Sequence, residues 1–264
     1  MSTYYVDFKN ETSRTYVMAV YQQLPDSVGL DSVAWKRATA PKLGICGVKW
    51  DVDYNVALAD YTMAAPSGVY MSSQILPTIL GKKWKCIWGE GCQELVEDGE
   101  GTPGHILISN NSGFEANLGI GMDNQGSIFK RNVMSGENAQ FRVEPTYYIG
   151  LFRNVVLGEV ISGDVIVGPM QLKFSGNMNC ALLRLYVEGS TIKYQIEYSM
   201  KGSMSIEHLL AREAMATLNR NPAARAALMS GSNLSKLMAS IQKSSKPVQP
   251  AEEPNHVQWQ QNVS

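Results

Sequence analysis

Cys46-Gly47-Val48-Lys49-Trp50-Asp51-Val52-Asp53-Tyr54-Asn55-Val56-Ala57-Leu58 carries a large apolar residue at every second position from Val48 to Leu58. Lys49, Asp51, Asp53, Asn55 and Ala57 stand between them. Strand side chains alternate between faces, so this spacing predicts one strand with Val48, Trp50, Val52, Tyr54, Val56 and Leu58 on a core. Its other face is polar, as in antiparallel sheets that meet water on one side.

The same texture extends in both directions. Tyr4–Phe8 and Thr15–Tyr21 read as an opening pair of strands joined by the polar turn Asn10-Glu11-Thr12-Ser13. Further strands are predicted at Val69–Leu76, Lys83–Trp88, His105–Ile108, Ser127–Val133, Ala139–Val143, Thr146–Phe152, Asp164–Val167 and Met170–Phe174. The clearest hairpin joins Ala181–Val187 to Thr191–Tyr198 across Glu188-Gly189-Ser190. About ten to thirteen short strands, with turns every 8–12 residues or so, predict a mainly β body. Its expected architecture is an antiparallel two-sheet β-sandwich followed by a short α-helical C-terminal segment.

The texture changes at Lys201. Ser205 is placed to cap a helix, Asn221-Pro222 to restart one, and Leu234, Leu237, Met238 and Ile241 fall at i, i+3, i+4 and i+7. Beyond Lys246, Pro247, Pro250 and Pro254 lie among Gln and Glu, a composition that buries too little apolar area to order itself. The expected organisation is a β domain over 1–200, a helical appendage over 201–246 and a disordered tail over 247–264. Residues 201–246 hold seven Lys/Arg against Glu207 and Glu213, so the appendage is basic. It is the predicted surface for a protein partner or for self-assembly.

The 264 residues carry a net charge of -1 and a mean hydropathy of -0.15. No run approaches the roughly 18 apolar residues that cross a bilayer, and no transmembrane segment is expected. The opening residues lack a basic segment followed by an apolar one, which predicts a cytoplasmic chain. Nucleic acid is not an expected partner, because the basic residues of 201–246 are not interleaved with aromatics. Cys46, Cys86, Cys92 and Cys180 match no CxxC spacing and read as buried free thiols. Asn10-Glu11-Thr12, Asn110-Asn111-Ser112 and Asn233-Leu234-Ser235 match the glycosylation sequon, which has meaning only in a secreted chain.

Chemistry is sparse. His105, His208 and His256 are the only histidines, and they lie in three separate contexts. No GxSxG elbow, Walker loop or Cys–His signature occurs, so no catalytic residue, metal ligand or cofactor site is expected. Gly119–Gly126 mimics a dinucleotide fingerprint but places its third glycine two residues late, and reads as a glycine-rich turn. Asp51, Asp53 and Asn55 mimic the start of a calcium loop, yet the sixth and twelfth positions hold Val56 and Thr62 instead of Gly and Glu. They read better as the polar face of one strand, with weak ligand-binding potential. Trp35, Trp84, Trp88 and the pair Tyr147-Tyr148 have rings that could stack on sugars, although core placement accounts for most aromatics. The candidate ligand-binding set is therefore Asp51, Asp53, Asn55 and Tyr147, with carbohydrate as the candidate ligand.

Tyr21-Gln22-Gln23-Leu24-Pro25 and Gly29-Leu30-Asp31-Ser32-Val33-Ala34-Trp35 resemble the opening of bacterial proteins of the RhiA type. Tyr54-Asn55-Val56-Ala57-Leu58-Ala59-Asp60-Tyr61, Tyr148-Ile149-Gly150-Leu151-Phe152 and Leu157-Gly158-Glu159-Val160-Ile161 resemble them too. The likeness spans residues 4–198. It implies an abundant soluble protein of rhizobia or their relatives with a role in host association, and it brings no catalytic motif. Two function classes follow: a non-enzymatic accessory or self-assembling protein of plant–microbe association, acting through 201–246, and a glycan-binding or pore-forming β module.

Overall fold

The computed structural model describes residues 2–200 apart from 26–27, 65–66, 145 and 162–164. The expected helical appendage and tail lie outside these residues. None of the described residues is helical. Seventeen strands follow one another: β1 (Thr3–Asn10), β2 (Tyr16–Gln23), β3 (Leu30–Ser32), β4 (Lys36–Ala40), β5 (Ile45–Asp51), β6 (Tyr54–Thr62), β7 (Val69–Pro77), β8 (Lys82–Gly89), β9 (Cys92–Glu100), β10 (His105–Asn110), β11 (Ala116–Met122), β12 (Gln125–Val133), β13 (Asn138–Arg142), β14 (Thr146–Phe152), β15 (Val167–Leu172), β16 (Cys180–Glu188) and β17 (Thr191–Ser199).

The stretch that predicts one strand is in fact two. β5 ends at Asp51, β6 begins at Tyr54, and the two strands belong to different sheets. The apolar ladder persists across the break but feeds two cores: Trp50 is in one, Val56 and Leu58 in the other, and Tyr54 packs against both. The expected two sheets are accordingly four, in the orders β17-β16-β1-β5, β15-β14-β2-β4, β3-β12-β11-β6-β7 and β13-β10-β8-β9. Val6, Phe8, Leu183 and Leu185 of the first sheet meet Met18, Val20, Ile149 and Leu151 of the second in one core. Val56, Leu58, Leu118 and Ile120 of the third meet Trp84, Ile106, Ile108 and Phe141 of the fourth in another.

The two sheet pairs are built to one plan. β1 pairs in parallel with β16 and antiparallel with β5; β10 pairs in parallel with β8 and antiparallel with β13. β2 lies between β14 and β4, as β11 lies between β6 and β12. Strands β6–β13 are continuous in sequence, whereas β1, β2, β4 and β5 of the first unit are completed by β14–β17 from the far side of that insertion. The two parallel pairs depart from the expected all-antiparallel body. In neither pair do the strands follow each other directly: β16 comes from the far end of the described chain and β8 is followed first by β9, and only antiparallel neighbours can be joined by a tight turn. β1 and β2, although joined by a short turn, are not a hairpin: they lie in different sheets, facing each other across a core.

Two buried asparagines mark the equivalence. Asn10 donates its amide to the carbonyls of Arg14 (2.7 Å) and Pro41 (2.9 Å) and accepts from the Thr12 backbone N–H (3.1 Å) and hydroxyl (2.8 Å). Asn110 donates to the carbonyls of Phe114 (2.7 Å) and Val133 (2.7 Å) and accepts from the Ser112 backbone N–H (3.1 Å) and hydroxyl (2.8 Å). The Thr12 and Ser112 hydroxyls also accept from the N–H of Arg14 and of Phe114, each at 3.2 Å. These Asx-type turns let the chain leave one sheet and enter the other with no buried polar group unpaired. Two of the three matches to the glycosylation sequon are therefore buried folding devices; the third, at Asn233, lies outside the described residues.

Other expectations stand or are corrected locally. The hairpin β16–β17 has Leu183, Leu185 and Val187 opposite Ile196, Tyr194 and Ile192. Gly119 and Gly121 lie within β11 and Gly126 within β12, so this segment is strand, and the turn falls on Asp123 and Asn124, both with φ near +55°. Glycine is required there because a Cβ on Gly119 or Gly126 would strike the buried Phe129 ring at 2.3 Å. Strands β3, β4, β9 and β11 are absent from the predicted set. Cys46, Cys86 and Cys180 are buried thiols as expected, but Cys92 is exposed. Burial pushes the thiol of Cys46 up to about 12 and that of Cys86 up to about 11.

Candidate functional site

Four aromatic rings converge where the first two sheets end. Tyr4 comes from β1, Tyr54 from the first residue of β6, Tyr147 from β14, and Phe174 follows β15. They line a groove of about 470 Å³ whose rim carries Ser2, Thr146, Gln171 and Lys173. The Tyr4 ring lies 4.6 Å from Phe174 and 5.7 Å from Tyr147, centroid to centroid. Beneath them Trp50 is 5.1 Å from Tyr147 and 5.6 Å from Trp35. Trp35, Trp50 and Tyr147 are buried, which fixes the floor, while Tyr4, Tyr54 and Phe174 remain partly open. Phe174 is further held by the edge of Tyr198, whose hydroxyl accepts the N–H of Lys173 (2.9 Å).

Electrostatically the floor is neutral. Burial holds the Tyr147 phenol protonated far above the ordinary tyrosine range. The neighbouring Trp50 indole opposes that shift, although its Nε1 is buried without a hydrogen bond of ordinary geometry. Burial, with Tyr4 alongside, raises Tyr54 as well. The Tyr147 hydroxyl instead faces the Met122 sulfur at 3.8 Å. A groove of this volume with an apolar floor and few polar rim groups has the makeup of a small-ligand site.

The candidates from the sequence reading are distributed across this region without forming one cluster. Tyr147 lines the groove, and so does Val52, the residue between Asp51 and Asp53. Asp51 ends β5 and accepts from the Thr3 hydroxyl at 2.5 Å. Asp53 lies in the two-residue link, where its carbonyl accepts from the Asp123 N–H. Asn55 is 1% exposed, so the expected solvated face of Asp51, Asp53 and Asn55 does not exist. The strand break at Val52-Asp53 sends Asn55 into the third sheet, whose outer face is covered by the Tyr70–Phe129 stack at 4.4 Å. Neither polar atom of the Asn55 side chain has a partner among the described residues.

The sequence reading missed Tyr4, Tyr54 and Phe174 as site residues. Tyr54 looked like core because it continues the apolar alternation, and Phe174 lies at the end of an unremarkable short strand. Only the sheet order brings them beside Tyr147. A second cleft of about 480 Å³ is lined by Tyr21, Gln23 and Asp31 among others, but the Asp31 carboxylate is already taken by the Tyr70 hydroxyl at 2.5 Å. His105, the one described histidine, lies 3.1 Å from the Pro103 carbonyl. Among the described residues no group of three His, Cys, Asp or Glu could hold a metal ion, and no helix is long and apolar enough to cross a membrane.

The profile of the RhiA family matches residues 1–195. Protein RhiA of Rhizobium leguminosarum bv. viciae is 26% identical over 176 residues, covering 63% of this chain and 75% of that protein.

Proposed function

The chain belongs to the RhiA family, and we propose on that footing that it is a non-enzymatic binding protein of bacterial host association that recognises carbohydrate in the aromatic groove. The observation that carries this reading is the pairing of a neutral aromatic floor with a rim of hydroxyl, amide and ammonium groups. The C–H face of a pyranose is apolar and leaves water when it packs on a flat ring. Its hydroxyls then meet Thr146, Gln171 and Lys173, which supply donors and acceptors. The likeness to a Rhizobium protein supports the setting, a bacterium living with a plant.

An array of neutral oligosaccharides tests this reading. The wild-type chain should bind one saccharide class, and Phe174→Ala with Gln171→Ala should weaken that binding at least tenfold while the melting temperature stays within a few degrees. An array that stays silent, or a double variant that binds like wild type, would remove the groove as the site.

A further inference from the structure

Trp88 and Phe114 are 52% and 56% exposed, and their rings touch at 4.7 Å with a 45° tilt. They form one aromatic ledge at the tip of the second unit and share no residue with the groove. Large apolar groups exposed together require a reason that single exposed residues do not. The molecule supplies its own control, because the first unit repeats this tip. The β1–β16 and β10–β8 registers set Asn10 opposite Leu185 and Asn110 opposite Cys86, so Val187 is the counterpart of Trp88. The matching asparagine turns make Arg14 the counterpart of Phe114. Arg14 and Val187 serve that turn in the first unit, so the fold does not require aromatics there.

The ledge is also held rigidly. The carbonyl of Phe114 accepts from buried Asn110 and its N–H donates to buried Ser112. Gln93, opposite Trp88 in the β8–β9 register, donates its amide to the Ser112 hydroxyl (2.8 Å) and to the Glu115 carbonyl (3.1 Å). The Phe114 backbone is thus fixed, and the two rings rest on each other, which limits what ordering them on binding costs. Because they are in contact with each other, they offer a platform and leave no cage between them for a cation. The chain around them carries Glu90, Glu94 and Glu115, with no Lys or Arg between 86 and 93 or between 110 and 118. Carboxylates accept hydrogen bonds from hydroxyls, whereas an anionic bilayer is bound through Lys and Arg.

From this we propose that Trp88 and Phe114 form a second binding site, separate from the groove, that stacks on the apolar face of a pyranose in a neutral saccharide. Two such sites on one chain would let it bridge two glycan strands. The site does not depend on the groove reading.

The test uses the full chain with its groove disabled by Phe174→Ala and Gln171→Ala. Cello-, xylo-, manno- and galacto-oligosaccharides on an array are the probes, with phosphatidylcholine vesicles alongside. The groove-disabled chain should still capture a saccharide. Adding Trp88→Val and Phe114→Arg, the residues of the first unit's tip, should abolish that capture with the melting temperature unchanged; Phe114→Arg alone should weaken it at least tenfold if the double change disturbs folding. A silent array in the groove-disabled chain, capture that survives Phe114→Arg, or vesicle binding in place of saccharide overturns the proposal.

Discussion

Asn110→Ala lowers the stability of this protein by about 4 kcal/mol, reckoned at roughly 1 kcal/mol for each of its four side-chain hydrogen bonds. Asn10→Ala lowers it by a similar amount. Each side chain bonds two carbonyls from a neighbouring strand end or turn and closes its own turn through Thr12 or Ser112. Alanine leaves the Thr12 or Ser112 N–H without its acceptor, and the carbonyls of Pro41, Arg14 and Phe114 keep only their weaker bonds from the Gly44 N–H and the Thr12 and Ser112 hydroxyls. Urea unfolding followed by circular dichroism measures the loss. Equal effects at positions 100 residues apart would follow from the equivalence of the two units. A loss under 1 kcal/mol at either position would show that the turns hold without their asparagines.

Trp50→Asp unfolds the first unit. Trp50 is 1% exposed and packs against Trp35, Tyr147 and Tyr4. Emptying an indole-sized volume costs about 3–5 kcal/mol. The introduced carboxylate adds several more, because it would be buried among apolar and aromatic side chains, and the Lys36 ammonium over the neighbouring Trp35 ring (5.2 Å) is already paired with Asp123. The sum approaches the whole stability of a typical domain, about 5–15 kcal/mol. Far-UV circular dichroism and a thermal melt are sufficient: the variant should lose strand signal or melt without a cooperative transition. Trp50→Phe, which keeps an aromatic ring, should remain folded with a lower melting temperature. A Trp50→Asp protein that melts like wild type would place Trp50 outside the core.

Much of the β character was legible because period-2 alternation is a local signal. The hairpin β16–β17 was read with its facing residues, Leu183, Leu185 and Val187 against Ile192, Tyr194 and Ile196, although Glu188 belongs to the strand and pairs with Thr191; β14 was read to its ends, Thr146–Phe152. What escaped depends on distance along the chain. A strand that changes sheets at Val52-Asp53 keeps its alternation unbroken, since each half buries a ladder of its own. The glycines of 119–126 look like a turn, and only their neighbours in the sheet explain strands made of glycine: the Phe129 ring over Gly119 and Gly126, and the Gln125 backbone against Gly121. The doubling of the fold leaves almost no residue identity behind, apart from Asn-x-Thr at 10 and Asn-x-Ser at 110. That pattern also describes a glycosylation site, and burial alone separates the two meanings. At the candidate site, Tyr147 was legible as an aromatic that could serve a ligand. Tyr4, Tyr54 and Phe174 join it only through the order of strands from both ends of the chain.

The central claim is that two equivalent β units share one chain, each drawing strands from both sides of the loop at 101–104. It is tested most directly by making the protein in two pieces, 1–102 and 103–264. β1 and β2 would then be parted from β16 and β14, and β8 and β6 from β10 and β11. Neither piece alone should show a cooperative melt, and mixing them should restore the strand spectrum and a single transition in a one-to-one complex. A piece 1–102 that folds by itself into a stable monomer would contradict the account.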